Sequence, residues 1–332
     1  MTAIYHEDAA DLADLAGVRI AVVGYGNQGR SWALNLRDSG VDVQVCVRAD
    51  ASRDQATADG FNPADIAGAS DANVLCLLVP DDAIPGLGIE PRPDSLVVVA
   101  SGYTLAFGRF DPACDVAMVA PRMLGPEVRR CYEEGTGFIT AVGVHRDGTG
   151  GALRRTLAVA KAIGGLRQGA IALTPRQEAV LDLAVEQALA PALRRVNQAF
   201  VEVMLAEGVP LEAVLTELFL SGEVERTYRL LRLEGYAAQM EHHSPTSQYG
   251  QLSRIPRFEP MEPAPIMREI VSEIRSGHFA DEWDAEHESG HPTLSRLKGD
   301  ALPEGLRAWE QELRSQLGER ASAPRPHARE RT

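Results

Sequence analysis

From Gly17 to about Val144 the chain alternates short apolar runs with polar or amphipathic stretches. The runs are Val18–Val23, Val43–Val47, Val74–Val79, Leu96–Ala100, Val116–Val119 and Phe138–Val144. Such alternation predicts a parallel α/β sheet. Between the first two runs, Trp32, Leu34 and Leu36 fit a crossover helix opened by a glycine turn, and Gly40 can end it. Beyond the loop Arg146–Gly151 the spacing becomes helical over Ala152–Ile163, Arg176–Glu207, Leu211–Leu220 and Glu223–Glu234. The segment His242–Pro265, with many Pro and Ser residues, is expected to wander over the surface, while Ile266–Ile274 and Leu306–Leu317 read as helices again. The pattern divides the chain into an α/β domain over 1–172, a helical domain over 173–317 and a disordered tail over 318–332, rich in Arg, Pro and Ala, with no internal repeat.

The glycine turn carries the first chemistry. Gly24-Tyr25-Gly26-Asn27-Gln28-Gly29 directly follows a buried strand and opens a helix, which is the context of a Rossmann dinucleotide site. The glycines let the backbone pass close to a pyrophosphate, and the free N–H groups and dipole of the helix N-terminus favour its negative charge. A site for NAD usually places an acid at the end of the second strand, yet the strand expected here, over the run Val43–Val47, ends in Arg48. Arg48, with Ser52 and Arg53 beyond it, suits the 2′-phosphate of NADPH, whereas Asp50 and Asp54 in the same loop repel it. NADPH is therefore expected ahead of NADH. The alternative is a solvated charged loop.

Composition narrows the classes. A chain of 332 residues, 45% hydrophobic, can bury the cores of two domains. Its net charge of −14 argues against a sequence-independent grip on nucleic acid, which needs clustered cationic surface. No apolar run reaches the roughly 18 to 20 residues that span a bilayer. The N-terminus, with Glu7, Asp8 and Asp11, lacks the basic and apolar regions of a signal peptide, so a cytoplasmic protein is expected. Cys46, Cys76, Cys114 and Cys131 form no CxxC pair and read as buried free thiols.

The turn and the stretch Ala33-Leu34-Asn35-Leu36-Arg37-Asp38-Ser39-Gly40 together resemble the start of ketol-acid reductoisomerases. Further matches follow in the family's order: Leu78-Val79-Pro80-Asp81, Met118-Val119-Ala120-Pro121, Val128-Arg129-Arg130 and Ala158-Val159-Ala160-Lys161-Ala162-Ile163-Gly164-Gly165. Near the end, Glu273-Ile274-Arg275-Ser276-Gly277-His278-Phe279-Ala280-Asp281-Glu282-Trp283, then Gly290-His291-Pro292-Thr293, is similar to the short, class I form. The resemblance implies a Rossmann domain followed by an all-helical, knotted domain for substrate, metal and dimerisation. It also implies two joined steps, a magnesium-assisted alkyl migration and a hydride transfer from NADPH, in a homodimer or higher homo-oligomer whose sites take acids from both chains. Asp81 is placed by it among the cofactor residues.

On the same resemblance, Asp182-Leu183-Ala184-Val185-Glu186 matches the family's metal motif at both acids, whose i, i+4 spacing puts the carboxylates on one helix face. An ordinary solvated face explains such a pair as well. Glu217 fits a third family acid. Glu223 fits the fourth only across a two-residue insertion near Ser221-Gly222, where a kink at Gly222 either restores the approach or leaves fewer metals bound. Ser244, followed by Tyr249-Gly250, falls where the family has a serine touching the substrate carboxylate; a loop serine capping its own backbone is the alternative.

Two departures stand out. The family's Ala-His-Gly reads Ala100-Ser101-Gly102 here, and its lysine in Ala-Pro-Lys-Gly-Pro-Gly is replaced in Ala120-Pro121-Arg122-Met123-Leu124-Gly125. Arginine keeps the charge but does not donate a proton near neutral pH, whereas it can hold a carboxylate bidentately. The leading expectation is thus an NAD(P)H-dependent reductase of a 2-keto acid or related imino acid. In it Arg122 holds a carboxylate, Ser101 or an ordered water assists the developing alkoxide or amine, and Asp182, Glu186 and Glu217 bind Mg²⁺ or position the substrate. A working ketol-acid reductoisomerase and a catalytically silent dinucleotide-binding protein are the alternatives. The stripe Val196, Phe200, Val203 and Met204 suits either subunit packing or an ordinary core.

Overall fold

The computed structural model describes residues 1–301 and 306–317; the tail over 318–332 lies outside them. The described residues form two compact units, Met1–Leu183 with Ile274–Ala280, and Ala184–Glu273 with the described residues from Asp281 onward.

The first unit is built on an eight-stranded sheet. Its strands are β1 (Ile4–Tyr5), β2 (Arg19–Val23), β3 (Asp42–Cys46), β4 (Val74–Leu77), β5 (Leu96–Val99), β6 (Asp115–Pro121), β7 (Thr140–Arg146) and β8 (Ala170–Ala172). They lie in the order β1-β8-β7-β6-β5-β4-β2-β3. Helices α1 (Asn27–Asp38), α2 (Ala51–Ala58), α3 (Tyr103–Ala106), α4 (Gly125–Glu133), α5 (Ala152–Ala162) and α6 (Pro175–Ala184) accompany it. The two-residue period of a strand divides β2 between two cores: Ile20 and Val22 pack with Trp32 and Leu36, while Ala21 and Val23 pack with Leu75 and Val97. Burial on both faces explains why these runs are continuously apolar. The same burial hides direction. The fifth and sixth apolar runs form β6 and β7, which pair antiparallel rather than parallel, and β1 is a second antiparallel neighbour at the β8 edge.

The second unit is helical. α6 continues into a π-helical turn over Val185–Leu189 and then α7 (Ala190–Ala206). α8 (Leu211–Leu215) runs into another π turn over Thr216–Leu220, followed by α9 (Glu223–Glu234) and α10 (Tyr236–Glu241). After these come α11 (Pro245–Phe258), α12 (Ala264–Ser276), α13 (His278–Glu288), α14 (Pro292–Ala301) and α15 (Leu306–Gln316), with the end of α12 and the start of α13, over Ile274–Ala280, belonging to the first unit. The expected irregular segment over His242–Pro265 is largely helix. Ser244 caps α11, its side chain accepting from the Ser247 N–H at 3.3 Å, and Pro245 occupies the first helical position, where its fixed φ and missing N–H cost nothing. Proline there starts a helix instead of breaking one. Gly222, at φ 76°, separates the second π turn from α9, so Glu217 and Glu223 do not share one continuous helix.

Candidate active site

Strand order reverses between β2 and β4, and their carboxyl ends flank a cleft at that switch point. The cleft, about 210 Å³, is lined by Gly24, Tyr25, Gly26, Arg48, Asp50 and Ser52 among others. Gly24, at φ +94°, turns the chain out of β2; a Cβ there would lie 2.5 Å from the Leu78 carbonyl oxygen. A Cβ on Gly29 would lie 2.2 Å from the Gly24 oxygen, so α1 docks on its own turn only because that residue is glycine. At Gly26, the residue before α1, a Cβ would meet nothing within 4 Å.

The other turn residues serve the frame. Tyr25 donates from its hydroxyl to Asp59 at 2.9 Å, and Arg30 Nε donates to the same carboxylate at 2.7 Å. Arg30, ahead of the other contacts, draws the Asp59 carboxyl down to about 2. Gln28 donates to the Met123 carbonyl at 3.1 Å and accepts from Trp32 Nε1 at 3.2 Å, tying the glycine turn to the loop after β6. Asn27 opens α1. Of the residues expected around a 2′-phosphate, Arg48 and Ser52 line the cleft, but Arg53 does not. Its guanidinium donates to the Val47 carbonyl at 3.0 Å and to the Asp65 carboxylate.

Next to this cleft in the chain's topology, the ends of β5 and β6 carry the two departures noted above. Ser101 follows β5 and donates from its hydroxyl to Asp81 at 3.1 Å. Asp81, expected among the cofactor residues, is thus paired with Ser101. Burial pushes its carboxyl up to about 6, with the Ser101 hydroxyl opposing and Asp82 and Asp182 adding to the rise. Arg122 follows β6 and is committed on both arms, Nη1 to Glu178 Oε1 at 2.7 Å and Nη2 to Asp182 Oδ1 at 2.7 Å. Glu178, on α6, is 1% exposed and also accepts from the Gly102 N–H at 2.7 Å. A Cβ on Gly102 would lie 2.2 Å from the Pro175 oxygen, so glycine there lets α6 approach closely enough for that bond. Burial raises the Glu178 carboxyl, against the pull of the Gly102 N–H and Arg122.

Arg122 therefore meets two carboxylates of its own chain, where a substrate carboxylate had been expected. Glu178 is the member of this cluster that sequence reasoning missed. A signal existed: it lies one helical turn before Asp182, with the same spacing that separates Asp182 from Glu186.

The raised Asp81 has a measurable consequence. Its ordinary value is 3.8 and its folded value about 6, so between those pH values the native state holds a proton that the unfolded chain has lost. Stability from this group is present below pH 3.8 and declines as pH rises to about 6. The full shift corresponds to ~3 kcal/mol, and the partial exposure of Asp81 reduces the expected loss to ~1–2 kcal/mol. Asp81→Asn removes this contribution. Denaturant unfolding at pH 4.5 and 7.5 should therefore show the variant gaining ~1–2 kcal/mol on wild type between the two pH values; parallel behaviour of both proteins would contradict the assignment.

In the second unit Glu186 lies on the first π turn, Glu217 on the second, and Glu223 at the start of α9, all exposed. π turns concentrate at functional sites. Ser244 is exposed and caps α11. Carboxylates are the right donors for a hard cation such as Mg²⁺. Among the described residues, however, no three His, Cys, Asp or Glu side chains converge as a metal site, and Asp182 already bears Arg122. The donor chemistry fits Mg²⁺, but the described residues of one chain do not complete its shell.

No helix among the described residues is long and apolar enough to cross a membrane. All four cysteines are buried and free.

Comparison with known proteins covers both domains. Residues 14–169 match the family model for the acetohydroxy acid isomeroreductase NADPH-binding domain, and residues 176–319 match that for the ketol-acid reductoisomerase C-terminal domain. The ketol-acid reductoisomerase (NADP(+)) of Caldivirga maquilingensis is 38% identical, over 95% of this chain and 98% of its own. The ketol-acid reductoisomerase (NAD(P)(+)) of Metallosphaera sedula is 36% identical, over 96% of this chain and 95% of its own. Among solved structures, an NADH-preferring ketol-acid reductoisomerase from an uncultured archean superposes with a TM-score of 0.87 at 28% identity, covering 94% of this chain and 98% of that one. With a Rossmann cleft, a helical second unit and relatives matched along both, the chain belongs to the ketol-acid reductoisomerase family of NAD(P)-dependent oxidoreductases.

Proposed function

We propose that this chain is a working ketol-acid reductoisomerase, converting acetolactate to dihydroxyisovalerate with NAD(P)H in cytoplasmic branched-chain amino acid biosynthesis. The observation that carries this reading is similarity of 38% and 36% to relatives bearing that name, over 95% and 96% of the chain. The division near residues 172 and 173, between the two matched models, belongs to the same reading.

When bound, NAD(P)H supplies the hydride and Mg²⁺ polarises the substrate oxygens. Asp182, Glu186 and Glu217 are the residues we assign to the cation, with Glu223 and Ser244 beside the substrate. A second copy of the chain would complete the set. In support of a homodimer, α7 buries none of its 17 residues and leaves Val196, Phe200 and Val203 between 41% and 55% exposed. Its sedimentation mass in solution tests the pairing. Arg122 keeps Glu178 and Asp182 in place and, being permanently charged, moves no proton. The Ser101 hydroxyl, hydrogen-bonded to Asp81, is the group we assign to the developing alkoxide.

A second reading rests on Ser101 and Arg122 standing where the family has histidine and lysine: a reductase that accepts a ready-made 2-keto or imino acid and has lost the alkyl migration. One assay separates the two. Dinucleotide oxidation is followed with acetolactate and Mg²⁺, and in parallel with the isomerised hydroxy-keto acid. Turnover of acetolactate is the expected result. Turnover of the hydroxy-keto acid alone would replace the first reading with the second, and binding without turnover of either would indicate a silent dinucleotide-binding protein.

A further inference from the structure

The loop after β3 is arranged differently from what a 2′-phosphate site requires. β3 ends at Cys46, and Arg48 lies beyond it with a side chain 82% exposed and its Nε 3.6 Å from Asp50 Oδ2. Asp50 is the residue before α2. Its Oδ1 accepts from the Ser52 N–H at 2.9 Å, so a side-chain carboxylate already takes one of the free donors that would attract a phosphate. That hydrogen bond, ahead of the nearby cations, also holds the Asp50 carboxyl below its ordinary value, so it is an anion at neutral pH. Asp54 adds a second negative charge in the first turn. The remaining cation of the loop, Arg53, is engaged by Asp65 and the Val47 carbonyl. Arg48 is then balanced by Asp50, and the rim of the cleft holds no surplus positive charge for a phosphate dianion.

We propose that Asp50 sets the dinucleotide preference of this protein: its carboxylate accepts hydrogen bonds from the adenosine ribose hydroxyls and opposes a 2′-phosphate, so that NADH is bound at least as tightly as NADPH. The proposal rests on the reading of the glycine-turn cleft as the dinucleotide site. Asp50 lies about 20 residues beyond the glycine turn, the separation at which a Rossmann acid meets the ribose. A neutral 2′-hydroxyl donates to a carboxylate, whereas a phosphate at the same position meets like charge.

Direct titration of NADH and NADPH into the full chain, by ligand fluorescence and without substrate, tests this. Wild type is expected to bind NADH with equal or higher affinity. Asp50→Asn removes the charge but keeps an efficient helix cap, and should tighten NADPH by about tenfold while leaving NADH unchanged or weaker. Asp50→Ser, a second capping residue, should shift the ratio in the same direction. Arg48→Ala should weaken NADPH more than NADH. A wild-type preference for NADPH of about tenfold or more, or an unchanged ratio in both Asp50 variants, would overturn the proposal. Absence of binding by either dinucleotide would overturn the cleft reading itself. A lack of acetolactate turnover bears only on the proposed reaction, because the titration contains no substrate.

Discussion

Replacing Arg122 by alanine should lower the unfolding free energy by ~2–4 kcal/mol at pH 8, because it strands a buried carboxylate. Glu178 keeps the Gly102 N–H but loses a guanidinium nitrogen at 2.7 Å, in a position 1% exposed. Its carboxyl must then ionise without a counter-charge or take up a proton. The second course raises a folded value that burial has already raised, so the defect should be largest at alkaline pH and shrink as pH falls and Glu178 protonates. Arg122→Lys should recover part of the loss: one ammonium can pair with Glu178 or Asp182, but it lacks the planar fork that reaches both. Denaturant unfolding of the three proteins at pH 5 and pH 8 measures this. Equal stability of Arg122→Ala and wild type at pH 8 would show that the Arg122–Glu178 contact has no energetic weight. Loss of turnover without loss of stability would point to direct work on substrate.

The glycine turn separates binding from folding in the same way. Gly26→Ala should fold with unchanged stability, since its Cβ meets no protein atom within 4 Å and its φ of −76° suits alanine. It should nevertheless weaken NADH and NADPH alike by ~10–100-fold, because the methyl group stands where the backbone must pass close to the pyrophosphate. Gly29→Ala should damage both properties. Its Cβ would be 2.2 Å from the Gly24 oxygen, and α1 must lift from the turn to make room. Melting temperature and dinucleotide titration on the two variants provide the comparison. If Gly26→Ala binds like wild type, the dinucleotide does not approach the turn at that residue. If Gly29→Ala melts like wild type, the close packing of α1 is not needed for the fold.

The residues differ in how far their roles can be read from sequence. The Rossmann half was legible because each determinant is local: continuous apolar runs make buried strands, and three glycines at fixed spacing between a strand and a helix make a dinucleotide turn. The matched motifs located Ser101, Arg122, Asp182 and Glu186 by order along the chain. What they touch was not legible. Arg122 reaches Glu178 across 56 positions, and Ser101 reaches Asp81 across 20, separations that follow from strand order rather than from any spacing. Arg53 illustrates the same limit, since nothing local distinguishes a guanidinium facing a ligand from one turned to Asp65.

Chain direction behaves alike. An apolar run that is buried on both faces has the same composition whether it runs parallel or antiparallel, so β7 could be located from its residues but not oriented. Pro245 lies in the Pro- and Ser-rich segment expected to wander, yet it opens a helix, because the effect of proline depends on which turn of a helix it enters. The sequence by itself determined the secondary-structure rhythm, the cofactor turn and the family. Only the tertiary structure decided which charges meet: a charge contact is made between elements distant in the chain, and its partner is set by how the sheet is ordered and how closely α6 docks on Gly102.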